Sequence, residues 1–324
     1  MELRASGGRM AGYVLLLTTM PAFAQADWPV RPVTFVVPFA AGGGTDLFAR
    51  VIGAQVAKSI GQPVLVENRP GASGNIGNEV VARSSPDGHT VLYTASSFAT
   101  ATPFYPKLSF DPRRDFQAVT IAARIPHVLV VHPSLPVKSL REFVALARKR
   151  PDALVSASTG MGSMSHLALK LFQVRSGTRS TVVHYRGAAP ASTALLSGEA
   201  SFSILVPPVM LAQVKAGRIR ALATASATRA AVMPEVPTFA EQGMGGIEAN
   251  QWHGVFVPTK VAASTVDRLH RAIVAALALP EVRGRLAAEA GEPVGITPAQ
   301  AAAFYLEEIT RWGELMQKSG IRPE

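Results

Sequence analysis

The sequence predicts an α/β protein with parallel sheet, organised as two domains. Three observations carry that expectation. Apolar runs of about four to eight residues alternate with runs of helical length, the pattern of successive β–α–β units. The chain has 324 residues, enough for about two domains. Apolar residues make up 48% and charged residues 17%, so large cores are possible and disorder is not expected. The sequence contains no cysteine, which excludes disulfides, Cys-ligated zinc, iron–sulfur clusters and cysteine nucleophiles.

The first 26 residues read as a secretory signal peptide. Arg4 and Arg9 supply a positive start, "MAGYVLLLTTM" is apolar but too short to span a bilayer, and "AFAQA" offers cleavage after Ala24 or Ala26. The formal charge of +10 comes from scattered Lys and Arg, with no basic run longer than "RKR" at 148–150. That distribution excludes a nucleic-acid interface and fits an exported protein that favours anionic ligands.

In chain order, 33–39 is a strand, 40–45 a loop and 46–59 a helix with Leu47, Val51, Ala54 and Lys58 on one face. A short strand at 64–67, a Gly-rich segment, a helix to Arg83 and a strand at 90–96 follow. "HVLVVHP" is a strand, and Ser139 with Glu142 fits a capping box. "ALVSAST" and "STVVHYRG" are strands that each enter a small-residue loop and a helix. "ASFSILV" and "IRALATAS" are further strands, followed by a Pro-rich connector, "MPEVPTF". After "NQWHGVFVP" the chain turns helical, with capping boxes at Ser264/Asp267 and Thr297/Gln300 and Pro298 at the first helical position. The terminal helices are expected to cover the first domain's sheet, making that domain discontinuous around an inserted middle segment.

Two loops draw attention. The first is Gly42-Gly43-Gly44-Thr45-Asp46, between a strand and a helix. A phosphate loop needs Lys near its end and a dinucleotide fingerprint needs Gly at 47; here an acid and Leu47 stand instead, so nucleotide binding is excluded. A glycine loop before a helix still suits a small anion such as a carboxylate, because the backbone can approach closely and the helix start is positive. Thr45 is the expected N-cap. Asp46 is expected either to cap and pair with Arg50 or to meet the ligand. The second loop, "STGMGSMSH", repeats the plan, and the two could grip one carboxylate from opposite sides of a cleft.

Ser163 and His166 invite a nucleophile–base reading, but G-x-S-x-G is absent and no acid in the segment orients the imidazole. An exported hydrolase using Ser163 or Ser97 therefore stays as the rival to a binding protein. The seven histidines form no metal motif, and neither a metal nor a cofactor is expected. Trp252 and Tyr185 could line a pocket or fill core, and Arg186 could meet a ligand anion or a surface carboxylate.

Seven stretches in order, "VPFAAGGGTDLFAR", "GQPVLVENRPGASGNIG", "SPDGHTVLY", "ASTGMGSMSHLA", "YRGAAPA", "KAGRIRALA" and "VPTFAEQG", carry a resemblance. The chain resembles the Bug (TctC-like) receptors, the periplasmic solute-binding proteins of tripartite tricarboxylate transporters. The resemblance implies an α/β, type II periplasmic-binding-protein fold: two α/β lobes joined by two crossing strands, with ligand in the cleft. Lobe 1 would comprise 27–125 plus 251–324 and lobe 2 126–250. It further implies a monomer that binds a small carboxylate and serves membrane permease subunits or a sensor. The implied ligand positions are Phe39, Ala41, Gly42, Gly43, Gly44, Thr45 and Asp46; Ser96 and Ser97; Ser158, Thr159, Gly160, Gly162, Ser163, Met164 and His166; and Tyr185, Leu205 and Val206. The chain departs from the family at Ala40 and Ala41, at Thr102-Pro103, and at Leu205 and Val206 in place of an Asp-Asn pair. An apolar far wall of Leu205, Val206, Met161, Met164 and Phe98 would favour a monocarboxylate with an apolar or aromatic body.

Overall fold

A computed structural model describes residues 28–105 and 107–319. The expected signal peptide lies outside the described residues. The chain begins with β1 (Val33–Val37), α1 (Gly44–Ile60), β2 (Val64–Asn68), α2 (Asn75–Ala82), β3 (Thr90–Ala95) and α3 (Ser97–Phe104). A sixteen-residue strand, β4 (Phe116–Val131), leads to α4 (Leu140–Lys149), β5 (Val155–Ser158), α5 (Met164–Ser176), β6 (Thr181–His184) and α6 (Ala188–Ser197). Then come β7 (Phe202–Leu205), α7 (Leu211–Lys215), β8 (Arg220–Ala225) and β9 (Asn250–Pro258). The chain closes with α8 (Ala263–Ala278), α9 (Pro280–Ala288), the two-residue β10 (Glu292–Pro293) and α10 (Pro298–Ser319).

The strands run in the order β2-β1-β3-β9-β4-β7-β5-β6. The outer strands are parallel as expected: β1 with β2 and β3, and β5 with β6 and β7. The middle is antiparallel, because β9 pairs antiparallel with both β3 and β4, and β4 pairs antiparallel with β7 and β8. Sequence reading finds only the second half of β4. Its first half, "FQAVTIAARIP", mixes Gln117, Thr120 and Arg124 into the apolar run and ends on a proline, which demotes a strand. Pro126 has a place here. It is the last residue of β4 in register with β9, and from His127 onward β4 pairs with β8 and β7. A residue with no N–H to give the ladder sits where the strand changes partners.

Strand alternation sorts the cores. Val33, Phe35 and Val37 enter one cluster with Phe48, Ile52 and Leu269, while Val36 enters another with Leu92, Phe98 and Phe256. On β4, Leu129 and Val131 join Phe143, Phe172 and Phe202, while Val128 and Val130 join Leu195 and Leu205 on the opposite face. The buried stripe of α1 is Phe48, Ile52, Val56 and Ile60; Leu47 and Val51 are only partly buried and Ala54 and Lys58 are exposed. The face through Leu47 and Lys58 therefore lies to one side of the core stripe.

Helix starts test the capping expectations. Ser139 accepts from the N–H of Glu142 at 3.2 Å, and the Glu142 carboxylate accepts from Lys138 N. Thr297 and Gln300 form a reciprocal box, each side chain accepting from the other's N–H. Ser264 caps nothing, because α8 starts earlier: Ala262 is its N-cap and its carbonyl accepts from Thr265 and Val266.

The terminal helix does more than cover the first sheet. Ala301, Tyr305 and Ile309 pack in the cluster that holds Phe98 and Phe256, whereas Trp312, Leu315 and Met316 pack in the cluster of Phe143 and Phe172. Glu308, only 5% exposed, sits between these two sets. Its Oε2 accepts from Trp252 Nε1 on β9 and from Trp312 Nε1, both at 3.0 Å. Its Oε1 pairs with Arg311 at 2.7 Å, and the Arg311 guanidinium lies 4.3 Å from the Trp312 ring centroid. A buried indole N–H left without an acceptor costs roughly 1–3 kcal/mol. Glu308→Ala is therefore expected to lower unfolding free energy by about 3 kcal/mol, and Glu308→Gln by less because one acceptor oxygen survives. Urea unfolding of the two variants checks the order.

Candidate functional site

The two singled-out loops each leave the end of a strand that is parallel to its neighbours and enter a helix; β1 and β5 run in opposite directions, so the loops approach from opposite sides. In the first, α1 takes Gly43 as N-cap with no side-chain cap, so Thr45 is not the cap. Asp46 makes hydroxyl capping unnecessary. Its Oδ2 accepts from Gly42 N at 2.9 Å and from Arg50 Nε at 3.0 Å, and its Oδ1 accepts from Asn68 Nδ2 at 2.9 Å. Asn68 also donates to Phe39 O at 3.1 Å, so β2 ties both ends of the loop. Burial raises the Asp46 pKa, but the hydrogen bonds from Arg50, Gly42 and Asn68 outweigh it and hold the carboxyl below the ordinary aspartate range. Asp46 is committed to the loop's own architecture.

In the second loop, Gly160 (φ 137°) and Gly162 (φ 70°) occupy backbone regions that side chains disfavour. Ser163 is the N-cap of α5. Its Oγ accepts from His166 N at 3.2 Å and donates to Gly160 O at 2.7 Å. The His166 ring turns the other way, and its Nδ1 accepts from Gly162 N at 3.1 Å. Ser163 and His166 thus meet through backbone, not as hydroxyl and base. Burial, with His184 and Lys170 nearby, pushes His166 down to about 3, so it stays neutral. The serine–imidazole contact of this region is Ser158 Oγ to His184 Nδ1, 2.5 Å, and Ser158 is fully buried beneath the loop.

A cavity of about 250 Å³ lies between these parts of the chain. One wall is Thr159, Gly160, Met161, Gly162 and Ser163; the other is Phe39, Ser73, Ser97, Thr100 and Tyr105. Ser97 opens α3 and Ser163 caps α5, so two helix starts border the cavity. None of the ten lining residues is ionised at neutral pH. A larger hollow of about 390 Å³ shares Tyr105 and is lined by the 108–115 loop. Two of its charged groups are engaged within the loop, Arg114 on Asp111 at 2.6 Å and Asp115 accepting from Asp111 N.

Of the expected ligand positions, the cavity gathers Phe39, Ser97, Thr159, Gly160, Gly162 and Ser163. Ala41, Gly42, Gly43 and Gly44 are exposed and off this cavity, and Thr45 and Asp46 are buried in the start of α1. Ser96, Ser158, Met164 and His166 are buried behind it. Tyr185 is off it too, donating its hydroxyl to Glu199 at 2.6 Å. The expected apolar far wall is not there. Leu205 ends β7 opposite Val128, and alternation turns it into the core with Val130 and Leu195. Val206 is partly buried against the core cluster of Val33, Phe35 and Phe48, and Phe98 is fully buried among Phe116, Phe256 and Tyr305. Only Met161 of that set reaches the cavity.

Four contributors escaped sequence reading: Asn68, Ser73, Thr100 and Tyr105. Ser73 stands in the Gly-rich "RPGASGNIG", whose glycines signal a tight turn; Tyr105 follows a helix with no motif of its own. No group of three or more metal-capable side chains is found among the described residues, and no helix among them is long and apolar enough to cross a membrane.

A family model described as the tripartite tricarboxylate transporter family receptor matches residues 48–321. The chain belongs to that receptor family. Protein BugT of Bordetella pertussis is 36% identical over 96% of each chain. The structure described as Rhodopseudomonas palustris Rpa4515 with adipate has 35% identity and a TM-score of 0.79, covering 92% of this chain and all of that one. MatC from Rhodopseudomonas palustris with bound malate has 34% identity and a TM-score of 0.74, covering 89% and 99%. The fold is that of these receptors: two α/β lobes with a cleft between them, the type II periplasmic-binding-protein arrangement.

Three buried histidines of this receptor predict its pH response. Burial pushes His127 to about 4 and His166 and His253 to about 3. Each stays neutral when folded, while the unfolded chain takes up protons below about 6.5. Their contribution is full above that pH and is lost as pH falls toward 4, by up to about 1.4 kcal/mol per pH unit per histidine. Urea midpoints recorded from pH 8 to pH 4 should be level at first and then drop below pH 6.5.

Proposed function

We propose that the chain is an exported, non-enzymatic receptor that binds a small organic carboxylate in the cleft and presents it to a membrane permease or sensor. The observation that carries this reading is the cavity's chemistry. Hydroxyls of Ser97, Thr100 and Thr159 and two helix starts face one small space with no acidic side chain. A helix start offers N–H donors and the positive end of its dipole, which suits a carboxylate without a cationic side chain. The relatives with adipate and with malate support the ligand class. The commitment of Ser163 to capping, and the turn of His166 away from it, favour binding over hydrolysis.

In this reading 27–125 with 251–324 forms one lobe and 126–250 the other, with the last turns of α10 packed on the second. The ligand carboxylate sits between Ser97 and the 159–163 loop. The exposed glycines 42–44 form a lip that closes on the ligand when the lobes approach, which is a hinge closure of the usual receptor kind. The protein acts as a monomer after cleavage of its leader near Ala24 or Ala26.

A hydrogen bond to an ionised group contributes about 1.5–3 kcal/mol. Thr159→Val and Ser97→Ala should each weaken carboxylate binding at least about tenfold while leaving the melting temperature nearly unchanged. Titration calorimetry against short-chain acids and their amides checks this. Undiminished affinity in both variants would place the carboxylate elsewhere.

A further inference from the structure

We propose that the hydroxyls of Ser73 and Tyr105 form the cavity's second recognition point, reading a hydroxyl or carbonyl group at the end of the ligand remote from its carboxylate. The proposal rests on the carboxylate site described above and adds what lies at the other end of α3, since Ser97 opens that helix and Tyr105 follows its last residue.

Ser73 and Tyr105 are 32 positions apart in the chain, yet both line the cavity and their oxygens are 2.8 Å apart. Each hydroxyl carries one donor and two acceptor lone pairs, so the linked pair can give a hydrogen bond to a carbonyl or take one from a hydroxyl. The Ser73 position is built at a conformational cost. Ala72 (φ 48°) and Ser73 (φ 56°) are successive non-glycine residues in the left-handed region. Such strain persists only where the surroundings fix it. Here they do: a Cβ on Gly77 would stand 2.7 Å from Pro38 Cβ, and a Cβ on Gly71 would collide with Ile76. The turn is therefore packed tightly against Pro38, whose neighbour Phe39 is itself in the cavity wall.

Charge selects among possible far groups. A second carboxylate would meet no Lys, Arg or His among the lining residues, and the helix starts at Ser97 and Ser163 are taken by the first. A neutral oxygen group needs no counter-charge and satisfies the pair.

Calorimetric titrations of the whole mature chain with two matched series test this: butanoate, 4-hydroxybutanoate and succinate, and hexanoate, 6-hydroxyhexanoate and adipate. In at least one series the hydroxy acid should bind about tenfold tighter than both companions, one hydrogen bond's worth. Tyr105→Phe and Ser73→Ala should bring the hydroxy-to-plain ratio to about one. Ser73→Gly suits the left-handed backbone and should behave as Ser73→Ala, which separates loss of the hydroxyl from loss of the turn. A ratio near one in the unaltered protein, a ratio that survives the substitutions, or a dicarboxylate that binds tightest overturns the proposal. Failure of every acid to bind overturns the carboxylate site itself, an outcome distinct from these.

Discussion

The Glu308 carboxylate holds the two halves of the molecule to one helix. A single oxygen accepts from an indole on β9 and from an indole four residues along α10. The first indole belongs to the core around Phe256 and Tyr305, the second to the core around Phe143 and Phe172. A buried carboxylate is costly unless its lone pairs are used and its charge is met. Two indoles and Arg311 do both. The placement of the cavity follows from this, since its walls hang from sheets whose cores α10 joins.

Those walls are set by strand ends. β1 and β5 lie in separate parts of the sheet, each parallel to its neighbours but opposite in direction to the other, and each delivers a small-residue loop to a helix start. The resemblance between the loops is local; their commitments differ. The first spends its acid on its own backbone, Arg50 and Asn68 and leaves its glycines exposed. The second presents five consecutive residues to the cavity over a neutral histidine. Neutrality matters there, because a protonated His166 would have no lone pair for Gly162 N, and the loop would lose the contact that shapes it.

Much of this is legible in the sequence where the code is local. Alternating strands and helices, the second loop, the Asp46–Arg50 pair and the Thr297 box are all i to i+4 matters, and they stand as read. Two local capping readings fail, at Thr45 and Ser264, and the larger losses occur where distance in the chain decides. The first half of β4 is a strand because β9 lies beside it, against its own polar residues and proline. Leu205 is expected in a cavity wall only because it stands where the resembling family carries a polar pair; its register with Val128 turns it into core. Ser73 and Tyr105 meet across 32 residues, a juxtaposition no periodicity announces.

Closure of two lobes over a ligand must bend the chain somewhere, and the connections narrow the choice. At Pro126 the strand β4 exchanges one set of partners for another, and Pro cannot supply a ladder hydrogen bond. The neighbouring crossing is tied at the same level, where His127 N and its ring nitrogen both lie on Ala249 O, at 3.2 and 3.0 Å. The third connection, α10, is a regular helix, stiff along its axis and anchored by Glu308 between its two cores. Pro126 and the His127–Ala249 tie therefore mark the level at which the two long strands pass from one pair of cores to the other.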